Sequence, residues 1–130
     1  MARLVVVMPE DAAVKNNFAQ ISLLLNADAA RARNLAREMH EAHPENGAFA
    51  STYAFALFRA GDLPGALKVV RSLTKEQLND PSISAYYGVI LAAAGQRPEA
   101  THYLDASGKA KLLPEEEQLV AEAKASIARQ

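Results

Sequence analysis

The chain has no cysteine and no tryptophan, and its aromatic side chains are four phenylalanines and four tyrosines in 130 residues. Without cysteine there can be no disulfide, no thiolate metal ligand and no cysteine nucleophile. An excess of one charge is also missing. Fourteen basic residues against fifteen acidic ones leave a net charge of -1, so no surplus of positive charge is available to neutralise phosphates, and nucleic acid is not expected as a partner. The apolar run Leu4 to Met8, behind Arg3, is shorter than the roughly 7 to 15 residues of a signal-peptide core. No stretch approaches the roughly 18 apolar residues of a membrane span. A location in the cytoplasm and no membrane partner are the default expectations. No glycine cluster could cradle phosphate and no serine or threonine sits in a nucleophile-elbow sequence. The chain is therefore expected to be no enzyme and to need no cofactor.

Two sets of residues that could carry chemistry are better explained as structure. His40 and His43 are three apart, but His43 directly precedes Pro44, and no carboxylate and histidine set completes a tetrahedral metal site. Glu115, Glu116 and Glu117 are consecutive, so on a helix they point in different directions. A solvated first turn that favours negative charge accounts for them.

What the chain does have is a repeat. Gly61-Asp62-Leu63-x-x-Ala66 returns as Gly95-Gln96-Arg97-x-x-Ala100, 34 residues on, and the same step backwards falls on Ala27-Asp28-Ala29-x-x-Ala32. A fixed period of this size signals stacked supersecondary units. Pro9, Pro44, Pro81 and Pro114 stand at or just before helix starts, where a missing N–H costs little. Ala27, Gly61 and Gly95 mark the turns, where a left-handed residue closes one helix and begins the passage to the next. The apolar periodicity predicts helices over 11–25, 29–42, 44–60, 63–73, 81–94, 98–110 and 114–129. The first of these places Val14, Phe18, Ile21 and Leu25 at spacings of three and four. Turns of about three residues make each pair antiparallel.

Helix pairs at a 34-residue period resemble the tetratricopeptide repeat. In that frame the small residue of the first helix falls on Gln20, Ala54 and Gly88, and a large residue three positions later on Leu23, Leu57 and Leu91. The alanine of the second helix falls on Ala32, Ala66 and Ala100, and its large partner on Ala36, Val70 and Leu104. Gln20 is a departure, because a long side chain there must hold its helix away from its neighbour or turn its amide outward. The tryptophan position holds Asn16, Ala50 and Ser84, and the proline stays in frame only at Pro44. The resemblance implies an all-α solenoid, a right-handed superhelix of antiparallel helix pairs. Its divisions are a remnant of a preceding repeat or leader at 1–12, repeats at 13–46, 47–80 and 81–114, and a capping helix at 115–130. The Pro9 junction predicts that the chain is the C-terminal part of a longer array.

The resemblance also implies a function, namely a scaffold that binds a protein or peptide on the concave face lined by the first helices. On the 34-residue frame that face comprises Val14, Asn17, Ile21 and Leu24, then Ser51, Thr52, Phe55, Phe58 and Arg59, then Tyr86, Val89 and Ala93. Phe55, Phe58 and Tyr86 would give it an aromatic groove. Only Asn17 and Arg59 are placed to grip a carboxylate, so a clamp for a peptide C-terminus is not expected. The competing reading is a structural spacer or self-association segment, in which those aromatics are buried against other helices. Association between copies through the uncapped N-terminal face is expected on either reading, because an open repeat face exposes apolar surface.

Overall fold

A computed structural model describes residues 10–109 and 111–129 of the chain. The expected remnant at Leu4 to Met8 lies outside the described residues. The helices are α1 (Glu10–Leu25), α2 (Ala29–Ala42), α3 (Gly47–Arg59), α4 (Leu63–Val70), α5 (Lys75–Leu78), α6 (Pro81–Ala93), α7 (Arg97–Ala106) and α8 (Pro114–Arg129), and there is no strand among the described residues. Three antiparallel pairs, α1 with α2, α3 with α4 and α6 with α7, stack in order, and α8 closes the stack against α6 and α7. This is an all-α solenoid.

Local chemistry sets the helix starts. Asn46 accepts from the Phe49 N–H at 3.0 Å and Asp62 from the Gly65 N–H at 2.9 Å. Asp80 accepts from the Ser82 N–H at 2.9 Å, ahead of Pro81 at the first helical position. Each cap satisfies an orphan donor of its first turn. The second helix of the middle pair is shorter than its apolar periodicity predicts. It ends at Val70, and a separate turn of helix, α5, follows. The reason is Thr74, which accepts from the Gln77 N–H while its own N–H donates to Gln77 Oε1, a reciprocal box that starts a new helix. The Gln77 amide also donates to the Glu45 carbonyl at 2.8 Å, tying α5 to the turn before α3.

The turns within the pairs are less alike than the repeat suggests. In the second and third pairs the left-handed residue is glycine, Gly61 (φ 87°) and Gly95 (φ 79°). The next N–H donates back to Leu57 and Leu91 respectively, closing each helix end. In the first pair Ala27 does not take that role. The left-handed residues are Asn26 (φ 55°) and Asp28 (φ 54°), and the Ala27 N–H donates to Ser22 at 2.8 Å. A Cβ makes the left-handed region costly for alanine, whereas asparagine and aspartate tolerate it. The helix-closing pattern thus falls one residue early, and the turn holds one residue more. Residues of α1 therefore precede their counterparts in α3 by 35 positions, as Ser22 precedes Leu57, while α3 and α6 keep the 34-residue step.

That slip resolves the Gln20 departure. The small residue at the crossing in α1 is Ala19, fully buried like Ala54 and packed with Leu23, Ala32 and Ala36. Ala66 and Ala100 are fully buried in the second helices of the other pairs. In α6 the same position is Gly88, where an added Cβ would stand 2.8 Å from the Leu104 side chain. Tyr87 of α6 and Tyr103 of α7 meet edge to face at 4.5 Å. The histidines are set against rings. His40 stacks on Tyr53 at 5.5 Å, His43 meets the edge of Phe49 at 5.6 Å, and His102 abuts Tyr103. No group of His, Asp and Glu among the described residues could hold a metal ion.

The close approach at Gly88 gives a test of the packing. Gly88→Ala should lower stability by about 1–3 kcal/mol through overpacking against Leu104. Gly108→Ala, where a Cβ meets open space, should change it by less than about 0.5 kcal/mol. Urea unfolding of the two variants beside the parent chain measures both.

Candidate functional site

The first helices of the pairs, α1, α3 and α6, line one side of the stack, and α8 occupies the place of a fourth. Because the first two turns of α8 reach back to α1, they cover the middle of that side. The aromatic groove expected from the sequence is filled for this reason. Phe55 is fully buried and Tyr86 nearly so, with ring centroids 4.9 Å apart, and Leu119 of α8 packs against both clusters of the core. Burying a phenylalanine of this kind is worth roughly 1.5–3 kcal/mol, so these rings are committed to the fold. Phe58 is half-buried, stacked 6.2 Å from Phe55.

The other expected residues divide. Asn17, Ser51 and Tyr86 are brought together in one recess between α1, α3, α6 and α8. Phe58, Arg59 and Val89 line a second, more apolar one, with Leu119 and Ala123 of α8. Leu24 is buried in the core beside them. Ile21 does not face this side at all. The extra turn residue rotates α1 by about 100° relative to the 34-residue frame, and Ile21 lies exposed on the end of the stack with Val14. Its place on the inner side is taken by Gln20, the counterpart of Phe55 in the corrected register.

Arg59 is engaged with the fold. Its Nε and Nη2 donate to the Leu23 and Leu24 carbonyls at 3.1 and 3.2 Å, and its guanidinium lies 5.1 Å from the centre of the Phe55 ring. The last carbonyls of a helix carry partial negative charge, so a cation is well placed there. The planar fork reaches two carbonyls at once.

Glu116, expected with its neighbours in a solvated first turn, is instead a buried carboxylate that organises the first recess. Glu115 and Glu117 are exposed as a solvated first turn requires, but Glu116 is buried. Its Oε1 accepts from the Leu113 N–H at 2.9 Å, half of a capping box for α8. Its Oε2 accepts from the Tyr86 hydroxyl and, at 3.1 Å, from the Gln20 amide, which also donates to the Tyr86 oxygen at 2.9 Å. One carboxylate thereby ties α1, α6 and α8 together. Burial and the adjacent carboxylate push the Tyr86 phenol well above its ordinary range.

The recess has a volume of about 300 Å3. Along its walls run Asn16, Asn17, Gln20, Ser51, Thr52, Asp80 and Glu116, and no lysine or arginine. Asn16 is buried to 8 % exposure, and its Oδ1 has no hydrogen-bond partner. A buried acceptor left unpaired is costly.

The model of the tetratricopeptide repeat matches residues 23–86, from the end of α1 through the second pair to the middle of α6. Over that stretch the chain is similar to the tetratricopeptide-repeat family. The match leaves out the body of α1, the helix whose register is offset by the longer turn. Comparison with curated proteins and with solved structures found no match. Tetratricopeptide repeats generally serve as protein–protein interaction scaffolds, and no helix among the described residues is long and apolar enough to cross a membrane.

The carboxylate junction sets the pH dependence of this helical stack. A phenol whose ionisation is harder in the folded than in the unfolded chain leaves stability intact below its unfolded pKa of about 10. Above that, the unfolded chain loses its proton first and stability falls. Tyr86→Phe should therefore cost about 1–3 kcal/mol near neutral pH, because Glu116 loses a buried donor. It should also flatten the decline above pH ~10. Urea midpoints at several alkaline pH values, compared with the parent chain, measure the difference in slope.

Proposed function

We propose that the chain is a protein-interaction scaffold that takes a donor-bearing segment of a partner protein, a lysine, arginine or N-terminal ammonium, into the recess at Asn16 and Glu116. The observation that carries this is the unpartnered Asn16 Oδ1, buried in a cleft whose only charged walls are acidic. A cationic N–H group supplies the charge that Asp80 and Glu116 favour and donors for the amide and hydroxyl side chains that line the cleft. Asn17, Ser51 and Tyr86 belong to this reading as lining residues, with Thr52 and Gln20 beside them. Phe58, Arg59 and Val89 border the neighbouring recess, where an apolar side chain of the same segment would fit.

A second reading, a spacer without a peptide ligand, is favoured by the burial of Phe55 and Tyr86 within the chain's own stack. It accounts for the aromatics but leaves the polar recess and its orphan acceptor without a use. The two readings differ in whether a cation is recognised.

NMR titration with a short blocked peptide centred on lysine, beside one with norleucine in its place, distinguishes them. The lysine peptide should shift the side-chain amide signals of Asn16, Asn17 and Gln20, and Asn16→Leu should weaken its binding at least tenfold. Equal response to both peptides, or none to either, would remove the proposed site.

A further inference from the structure

Val14, Phe18, Ile21 and Leu25 form an exposed apolar stripe on the α1 end of the stack, at 61, 42, 45 and 57 % exposure. Among the described residues just one other large apolar side chain, Leu113, is as open. In the corrected register the counterparts of this stripe are covered. Phe49 and Tyr53 of α3 lie against His43 and His40 at the end of α2, and Ala56 is buried. Ile83, Tyr87 and Ile90 of α6 are buried in the same way. In α1 the stripe is open apart from Phe18, over whose ring the Arg31 guanidinium of α2 lies at 5.5 Å. A groove of about 720 Å3 runs beside it, lined by Val14, Phe18, Arg31, Asn34, Leu35 and Glu38.

We infer that this stripe is a self-association surface and that its occupant is α1 of a second copy, laid antiparallel about a two-fold axis between Phe18 and Ile21. The spacings along the stripe are four, three and four, which read the same from either end. An antiparallel pair therefore sets Val14 opposite Leu25 of the second copy and Phe18 opposite its Ile21, so every apolar side chain meets another. Alternating steps of four and three are those of a coiled-coil seam. A two-fold contact uses one self-complementary patch on both partners and stops at the dimer.

The other end of the molecule does not fit the stripe. Exposed positions of α8 carry Glu115, Gln118, Glu122 and Lys124, so head-to-tail stacking would bury charge against apolar side chains without a partner. With a net charge of -1, two copies meet without strong repulsion. The seam is about 16 Å long and falls short of the roughly 800 Å2 per partner of a standard interface unless the α2 side of the groove joins it. The dimer is accordingly of the weak, transient class.

The absence of cysteine makes the geometry directly testable on the whole chain. Sedimentation equilibrium should show a monomer–dimer equilibrium that Ile21→Asp, at an already exposed site, weakens at least tenfold. Val14→Cys and Leu25→Cys proteins, oxidised together, should form a mixed disulfide dimer, and neither should cross-link when oxidised alone. Cross-linking of each variant with itself would mean parallel pairing and overturn the proposal. So would a chain that stays monomeric near 1 mM. If the stripe cysteines in such a monomer were slow to react with a soluble maleimide, residues 1–9 of the same chain would be the occupant instead.

Discussion

Two helices approach only as closely as the smallest side chains at their crossing allow, and everything in this stack follows from how that limit is met. Ala19, Ala54 and Gly88 stand at the same crossing in the three first helices, and Ala32, Ala66 and Ala100 serve the second helices. Each is fully or nearly fully buried, so backbones rather than side chains set the spacing. Larger residues such as Leu23, Val70 and Leu104 then fill what the small ones leave. With the spacing fixed, the orientation of each first helix decides which side chains reach the inner side.

That orientation is set by the turns, and there the sequence is read correctly in two pairs of three. Glycine at 61 and 95 announces a left-handed residue because glycine alone enters that region without cost. In the first pair the aligned residue is alanine, and the left-handed positions move to Asn26 and Asp28. Nothing in the 34-residue step reveals the added turn residue, since Ala32 and Ala36 remain in phase behind it. The consequence is confined to α1 but large: Gln20 turns inward and Ile21 outward, opposite to their assignment by the repeat. The clue that was available is Gln20 itself, a long polar residue in a place the repeat keeps for small ones.

Fold class, pair order and the C-terminal helix were legible because they rest on periodicity and on proline and glycine, which act locally. The filled groove was not legible, because it depends on how tightly the stack curves. Phe55 and Tyr86 have the spacing of groove residues, but α8 reaches across them to α1, a contact between residues 96 positions apart. Glu116 shows the same limit. Its neighbours Glu115 and Glu117 behave as acids of a helix's first turn do, and only the tertiary structure sets the middle one against Tyr86 and Gln20. A carboxylate buried against three uncharged donors, the Leu113 N–H, the Tyr86 hydroxyl and the Gln20 amide, depends on those hydrogen bonds, so its geometry must be kept, and it holds α8 at one angle.

This closure separates the two surfaces the molecule has left to offer. On the inner side, α8 and the rings have consumed the apolar area, and what remains is polar and narrow, suited to directional hydrogen bonds from a small group. On the α1 end an apolar row, met at Phe18 by the Arg31 guanidinium, is suited to another helix rather than to a point contact. The two faces lie on opposite sides of α1, with Asn16, Asn17 and Gln20 toward the recess and Val14, Phe18, Ile21 and Leu25 toward solvent. A single helix therefore serves both, and the register slip that turned Gln20 inward also turns outward the row that the spacing of the four apolar residues already makes.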